Sequence, residues 1–201
     1  MLKIRYLIFV LSFFILPLAS DSIANNTDKA EIFIANLGEK AISLLNDKSL
    51  SKEENIKQFK SILNEGFDIK LISRYALGRY WRRASEVEKV KYQILFEEFI
   101  ITTYANRLSQ FGGEKFIVKN SRKIEKNDYL VSSQIIPQKG PKIKVEWRVR
   151  NKEKNFKIID VIIEGVSMVI TQRDEFSSII QRSGGNISEL LIILEKNKNK
   201  K

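Results

Sequence analysis

The 201-residue chain contains no cysteine and no histidine. Without cysteine there is no thiolate nucleophile, no disulfide, no thiolate ligand for zinc and no attachment point for a lipoprotein anchor. Without histidine no Ser-His-Asp triad can form, and the commonest general acid and base at neutral pH is missing. An enzyme built from this sequence would therefore depend on Asp, Glu, Lys or Tyr alone.

The longest apolar run of the sequence lies at its amino terminus. Two basic residues precede the run Tyr6–Leu18, and Ser22 and Ala24 then place small residues at the −3 and −1 positions of a cleavage site. A membrane anchor is the alternative, but a spanning helix needs about 20 apolar residues and this run ends sooner. The pattern predicts a secretory signal peptide over residues 1–24 and a single mature domain over residues 25–201.

The formal net charge is +11, from 35 basic and 24 acidic residues. Such an excess favours contact with anionic membrane surfaces or acidic partners. Simple solubility explains it equally well, because the lysines are scattered along the chain apart from the tail at residues 196–201. A nucleic-acid interface would need a basic stripe with interleaved aromatic residues, and an exported protein does not meet nucleic acid, so we expect no such partner.

Helical periodicity occupies the first half of the mature chain and returns at its end. Helix starts are predicted at Asp28, Ser51, Asp68, Ser85 and Asn186. At each position a Ser, Asp or Asn stands either three residues before a Glu or shortly before an apolar run. The longest helix is predicted over residues 86–111, ending at Gly112. Its apolar stripe is wider than one flat contact needs, because Leu95, Phe96, Phe99 and Ile100 extend it.

Between the helices the periodicity changes to that of strands. Residues 115–119, 128–136, 142–150 and 155–164 are predicted as four strands. The third alternates, with Ile143, Val145, Trp147 and Val149 on one face and charged residues on the other. Short connections favour an antiparallel meander. We therefore predict an α+β fold in which a four-stranded antiparallel sheet, flanked by about six helices, encloses an apolar cavity.

Two segments carry a resemblance to a known family. The first is YALGRYWR over residues 75–82, preceded by Phe67-Asp68 and followed by a helix with Phe96 and Phe99. The second is KIIDVIIEGVSM over residues 157–168. With the intervening strands they resemble the MlaC family, the phospholipid-transport and toluene-tolerance proteins of an ABC system, over essentially the whole mature chain.

The resemblance implies a soluble periplasmic phospholipid carrier that helps to maintain outer-membrane lipid asymmetry. Its implied partners are the phospholipid, an outer-membrane Mla lipoprotein complex and an inner-membrane Mla ABC transporter complex. It implies no catalysis, no catalytic residue, no metal and no cofactor; a bound phospholipid is the expected cargo.

Twelve residues are candidates for lipid contact. Aromatic residues on the helices are expected at a cavity mouth, where their polar ends would meet a headgroup, and apolar residues of the long helix and the last two strands are expected as walls. An ordinary solid core is the alternative for each of them. The candidates are Tyr75, Tyr80, Trp81, Phe96, Ile100, Tyr104, Val145, Trp147, Val149, Ile163, Val166 and Met168.

Asp160 is the anomalous residue of the last strand, a carboxylate in an apolar run. A general base acting on a small apolar substrate is one interpretation, and it would make the chain an α+β enzyme. The structural interpretation, which we favour, pairs it with a backbone N–H or with an arginine such as Arg79 or Arg82. Arg79, Arg82 and Arg83 are also candidates for touching a phosphate or for a solvated helix end. A ligand-free module that bridges membrane complexes is the third functional alternative.

The exported protein is expected to begin near Asn25, because the small-x-small triplet ends at Ala24 after a short apolar run. Sequencing the amino terminus of the exported protein tests this expectation. An intact Met1 on a membrane-resident protein would contradict it.

Overall fold

The computed structural model describes residues 21–108, 113–152 and 155–198. Over these ranges the chain forms six α-helices, a 3-10 turn and one five-stranded antiparallel sheet whose strands are neighbours in sequence order. The helices are α1 (Asp21–Asn46), α2 (Lys52–Gly66), α3 (Ile69–Leu77), the 3-10 turn (Gly78–Arg82), α4 (Glu86–Leu108), α5 (Met168–Arg182) and α6 (Ser188–Lys198). The strands are β1 (Lys115–Lys123), β2 (Asp128–Ile136), β3 (Ile143–Lys152), β4 (Asn155–Ile163) and β5 (Val166–Ser167).

The α+β class is confirmed, but the prediction of four strands was wrong. The fifth strand, β5, has two residues and pairs with the end of β4. Glu164 and Gly165 connect the two strands with φ angles of 49° and 83°. Positive φ at both turn positions is the signature of a tight hairpin turn. A two-residue strand is too short to show alternation, which is why the sequence pattern did not reveal it.

Local capping signals position most of the helix starts. Ser51 and Glu54 form a reciprocal capping box at α2, Ser85 and Glu88 form another at α4, and Asp68 accepts from the Leu71 N–H at α3. These three predictions are confirmed.

Two other helix starts differ from the predictions. In the first helix, residues 21–27 at the beginning of the described range are already helical, so Asp28 does not start it. The last helix begins at Ser188. The side chain of Asn186 accepts a hydrogen bond from the N–H of Ser188, which is two residues later in the chain, whereas the predicted cap would accept from the residue three positions later. Residues 1–20 of the predicted signal peptide, the predicted helix end at residues 109–112 and the basic tail at residues 199–201 lie outside the described residues. No helix among those described is long and apolar enough to cross a bilayer.

The apolar run of the last strand is buried on both faces of the sheet. Ile158 packs in the α1–sheet cluster and Ile159, which points to the opposite face by ordinary strand alternation, is buried as well. Arg148 pairs with Asp160 and Val149 pairs with Ile158, so Ile159 is the extra residue of a bulge. The bulge places Ile159 and Asp160 together opposite Arg148.

Two separate hydrophobic clusters stabilise the fold. One lies between α1 and the inner face of the sheet, and its buried members are Ala30, Ile34, Leu37, Tyr129, Val131, Val149 and Ile158. The other lies among the helices, where Tyr92, Phe96 and Phe176 form a group of aromatic rings with centroids about 6 Å apart. Phe67, at the junction of α2 and α3, packs against both clusters.

A charge network closes the end of the β2–β3 hairpin. The Asp128 side chain is 2% exposed and accepts hydrogen bonds from Arg150 Nε at 2.6 Å and from Arg148 Nη2 at 2.9 Å. Arg148 also contacts the exposed Glu125. Desolvation by itself would raise the pKa of Asp128, but hydrogen bonds from Arg150 and Arg148 and their charges outweigh it, so the pKa lies below its usual value.

Replacing Asp128 by Asn is expected to lower the free energy of unfolding by about 1–3 kcal/mol at neutral pH, because the two arginines lose the negative charge and one of the two buried acceptor oxygens. The folded pKa is depressed, so this stabilisation is complete above the unfolded carboxyl pKa of about 3.9 and is lost as the pH falls through the lower folded value. Urea unfolding at a series of pH values measures it.

Glu125→Gln is the matched control. It removes the exposed partner of the same arginine and should change stability by less than about 1 kcal/mol. Equal losses from the Asp128 and Glu125 variants would contradict the assignment of the stabilisation to the buried carboxylate.

Candidate functional site

An apolar pocket of about 270 Å³ lies between the helices and the inner face of the sheet. Three groups of helical residues form one wall: Phe59, Ile62 and Leu63 of α2, then Phe67, Ile69, Ile72 and Ala76 around α3, then Phe96, Ile100 and Tyr104 of α4. The opposite wall and the rim are formed by Trp147, Asp160, Val161, Ile163, Met168, Val169 and Gln172. Polar groups are few, and an apolar lining of this kind is typical of a ligand pocket.

The pocket lies where the two hydrophobic clusters diverge. On the helical side, Ile100 and Val169 belong to the edge of the helical cluster. On the sheet side, Trp147 and Val161 belong to the edge of the α1–sheet cluster. Only Phe67 packs against both clusters among the residues assigned to either. The wide stripe of α4 thus has more apolar surface than the helical cluster buries. Phe96, Ile100 and Tyr104 line the pocket, whereas Val87, Val90 and Ile94 are more than half exposed.

Trp147 is fixed at the sheet wall by its polar edge. Its Nε1–H donates to Ser133 Oγ at 2.8 Å, and Ser133 Oγ donates to the Val145 carbonyl at 3.0 Å. Phe116 packs against the indole edge to face, with centroids 6.1 Å apart. Because the indole nitrogen has its partner within the sheet, the ring presents an apolar surface to the pocket.

Asp160 attaches the start of α5 to β4 at the rim of the pocket. Its carboxylate accepts from Ser167 Oγ at 2.6 Å and from the Val169 N–H at 3.2 Å. The Ser167 hydroxyl in turn accepts from the Ile170 N–H and caps the helix. Two hydrogen-bond donors at the first turn of a helix suit a carboxylate there.

This geometry supports the structural interpretation of Asp160. The expected backbone N–H partner is confirmed, whereas the suggested arginine partners are wrong. Arg79 instead donates to Tyr80 Oη at 3.1 Å, and neither Arg79 nor Arg82 forms an ion pair with Asp160 in the described part of the chain. Sequence reasoning missed the side-chain partner of Asp160, which is Ser167, seven residues later in the chain.

Six of the twelve candidate lipid contacts line the pocket, namely Phe96, Ile100, Tyr104, Trp147, Ile163 and Met168. The other six lie elsewhere. Val145 and Val149 are buried in the sheet and Tyr80 in the helical cluster, while Val166 is 54% exposed. Tyr75 and Trp81 line a second, polar cleft of about 390 Å³ next to the pocket. Lipid contact by any of the twelve stays a prediction.

The contribution of α2 and α3 to the pocket was missed. Phe59, Ile62 and Leu63 follow one another at helical spacing on α2, so the sequence shows an apolar stripe there. The stripe alone does not say whether it faces a solid core or an opening. In the part of the chain that the structure describes, no group of three or more side chains that could hold a metal ion occurs.

Comparison with known proteins gives three similarities. The family model described as MlaC protein matches residues 35–196. The intermembrane phospholipid transport system binding protein MlaC of Haemophilus influenzae is 25% identical over 112 residues, covering 54% of this chain and 52% of the relative. The toluene tolerance protein ttg2D of Pseudomonas putida is 22% identical over 113 residues, covering 56% and 53%. The chain therefore spans about half the length of these curated relatives.

A solved structure shares the fold. The phospholipid-binding protein of Ralstonia solanacearum, determined in complex with a phospholipid, superposes with a TM-score of 0.73 at 20% identity. The match covers 85% of this chain and 97% of that protein.

Asp160→Asn is expected to lower the free energy of unfolding by about 1–2 kcal/mol, because one of the two hydrogen bonds to α5 loses its acceptor. Asp174→Asn, at a side chain 73% exposed on the same helix, is the matched control and should change stability by less than about 0.5 kcal/mol. Denaturant unfolding of both variants measures the difference. Identical stability of the Asp160 variant and the wild type would contradict the attachment role.

Proposed function

The chain belongs to the MlaC family, and on that premise we propose that it is a soluble periplasmic carrier that exchanges phospholipid between an outer-membrane Mla lipoprotein complex and an inner-membrane Mla ABC transporter complex. The observation that carries the proposal is the apolar pocket between the helices and the sheet. The names of the relatives, which refer to intermembrane phospholipid transport and toluene tolerance, support the substrate class and the system.

The energetics of a lipid in water make such a pocket necessary for a carrier. Each acyl CH₂ moved from a membrane into water costs about 0.8 kcal/mol, so two chains together cost on the order of 20 kcal/mol. An exposed surface patch removes only part of that contact with water, whereas a pocket with apolar walls removes most of it. The lining here is apolar apart from a few groups at the rim.

The pocket has to widen to hold a phospholipid. Its volume of about 270 Å³ lies just below the range of about 300–1,000 Å³ found for pockets of drug-sized ligands. In the lining, Ile72, Phe96 and Ile100 pack in the helical cluster, whereas Ile62, Trp147 and Val161 pack against the α1–sheet cluster. Opening the space between these two sets keeps most of the packing within each cluster, and the apolar surface that it exposes is covered by the acyl chains.

The alternatives account for less of the structure. An enzyme using Asp160 as a base would need that carboxylate free, but it accepts from Ser167 and from the Val169 N–H. A ligand-free bridging module would not require an apolar pocket beside a complete helical core. Export with cleavage near Ala24 remains part of the proposal, since a periplasmic carrier has to cross the inner membrane.

Extraction of the purified mature protein followed by lipid mass spectrometry tests the proposal. About one phospholipid per protein is expected. A stable protein that neither retains lipid nor accepts it from vesicles would contradict a carrier and favour the bridging module.

Ile100→Glu is expected to empty the pocket. Ile100 lines it from α4, and an unpaired carboxylate against acyl chains costs several kcal/mol. The lipid-free variant should keep the circular dichroism of the wild type, because a widened polar site admits water. Lipid content and thermal melting of the variant measure both effects.

Ile192→Glu makes the same change at a side chain 42% exposed on α6, outside the pocket, and serves as the control. It should retain full lipid content. Full lipid occupancy in a stable Ile100→Glu protein would show that the acyl chains do not occupy this pocket.

A further inference from the structure

Four arginines line the polar cleft that adjoins the apolar pocket. They are Arg74, Arg82, Arg148 and Arg173, and they come from α3, the 3-10 turn, β3 and α5. Asp160 is the one acidic residue among the described residues that line it. The cleft has a volume of about 390 Å³, which is enough for a small polar group and its water.

Among the residues that the structure describes, three of these guanidinium groups lack close acidic partners. Arg148 is held by Asp128 and Glu125. Arg173 Nε lies 3.9 Å from Asp174, and both side chains are largely exposed, so water screens this pair. Neither Arg74 nor Arg82 forms an ion pair within the described ranges of the chain.

The lining acid does not neutralise the arginines either. The Asp160 carboxylate already accepts from Ser167 and from the Val169 N–H. The cleft is therefore a site of excess positive charge with unused hydrogen-bond donors. Planar guanidinium groups match the geometry of phosphate oxygens, which they can bind in a bidentate manner.

The fold positions Arg173 over the 3-10 turn. Gly78 has a φ of 56°, and a Cβ atom built there would approach Arg173 Cδ to 3.0 Å. The absence of a side chain at Gly78 therefore lets the arginine stem lie across the turn. The helices that carry Arg74 and Arg173 are packed together in the helical cluster through Ala76, Phe176 and Ile180, so the spacing of these two positions is set by the core.

The cleft and the apolar pocket are contiguous. Asp160 and Val169 line both of them. Tyr75 and Trp81, whose side chains combine an apolar body with a polar end, lie on the cleft side. A ligand that fits both compartments has an anionic group joined directly to apolar chains.

We infer that the arginine cleft binds the phosphate of the cargo phospholipid while its acyl chains occupy the apolar pocket. The inference rests on the proposed function and adds to it a headgroup site formed by Arg74, Arg82 and Arg173. Free phosphate has the same chemistry, so the experiment has to separate the lipid phosphate from the inorganic ion.

Equilibrium binding of two lipids with identical acyl chains tests the inference. Phosphatidylglycerol carries a phosphate and diacylglycerol does not. Both displace a fluorescent acyl-chain probe from the delipidated mature protein. The wild type is expected to bind phosphatidylglycerol about tenfold more tightly, which corresponds to about 1.4 kcal/mol.

Arg82→Gln/Arg173→Gln should bring the ratio of the two affinities close to one and leave the affinity for diacylglycerol unchanged. Arg122→Gln/Arg182→Gln removes the same charge at exposed positions on β1 and α5 outside the cleft, and it should keep the ratio of the wild type. If the double variant has a much lower melting temperature than the wild type, Arg173→Gln alone replaces it. We expect this single variant to change the logarithm of the affinity ratio by about half as much as the double variant.

The outcomes separate the two levels of the proposal. Equal affinity of the wild type for the two lipids, or equal loss in both double variants, would overturn the headgroup site and leave the carrier function standing. Failure of both lipids to displace the probe would contradict the carrier itself.

Inorganic phosphate at millimolar concentration should lower the affinity for phosphatidylglycerol but not for diacylglycerol. Phosphate binding without any preference between the lipids would assign the cleft to the free ion and overturn the inference.

Discussion

The proposed function depends on two hydrophobic clusters that do not merge. One is closed by α1 against the sheet, the other by the helices among themselves, and Phe67 packs against both. Beyond that residue the apolar faces diverge, and the space between them is the pocket. Close packing normally eliminates such a gap, because unfilled apolar space forfeits dispersion contacts. A ligand that supplies the missing contacts resolves this deficit, which is why we interpret the gap as the site of a lipid.

Polar contacts hold the walls in place from outside the pocket. Lys157 Nζ donates to the carbonyls of Asn64 and Glu65, which attaches the end of α2 to β4. Asp160 attaches the start of α5 to the same strand. Asp128 and its two arginines fix the far end of the β2–β3 hairpin. These contacts lie at the edges of the walls, and on the sheet side Trp147 is fixed by its hydrogen bond to Ser133. The apolar side chains of the helical wall are held by packing and can adapt to the shape of an acyl chain.

Short-range signals determined most of what the sequence could predict. The capping boxes at Ser51 and Ser85 and the alternation of β3 are local, and the structure retains them. The site depends on tertiary placement. Val145 and Ile163 are paired across β3 and β4, yet only Ile163 lines the pocket. Val166 is equally apolar but lies exposed after the β4–β5 turn. No periodicity distinguishes an apolar face that meets a core from one that meets a cavity, so half of the candidate contacts fell outside the pocket.

The central claim is that acyl chains lie between the two clusters, and the two tryptophans of the chain allow a direct measurement. Trp147 lines the apolar pocket and Trp81 lines the arginine cleft. Phospholipid brominated near the ends of its acyl chains quenches an indole only at short range. With Trp81→Phe and Trp147→Phe proteins loaded with this lipid, the account predicts strong quenching of Trp147 and little quenching of Trp81. Quenching of Trp81 alone, or of neither residue at full lipid occupancy, would contradict it.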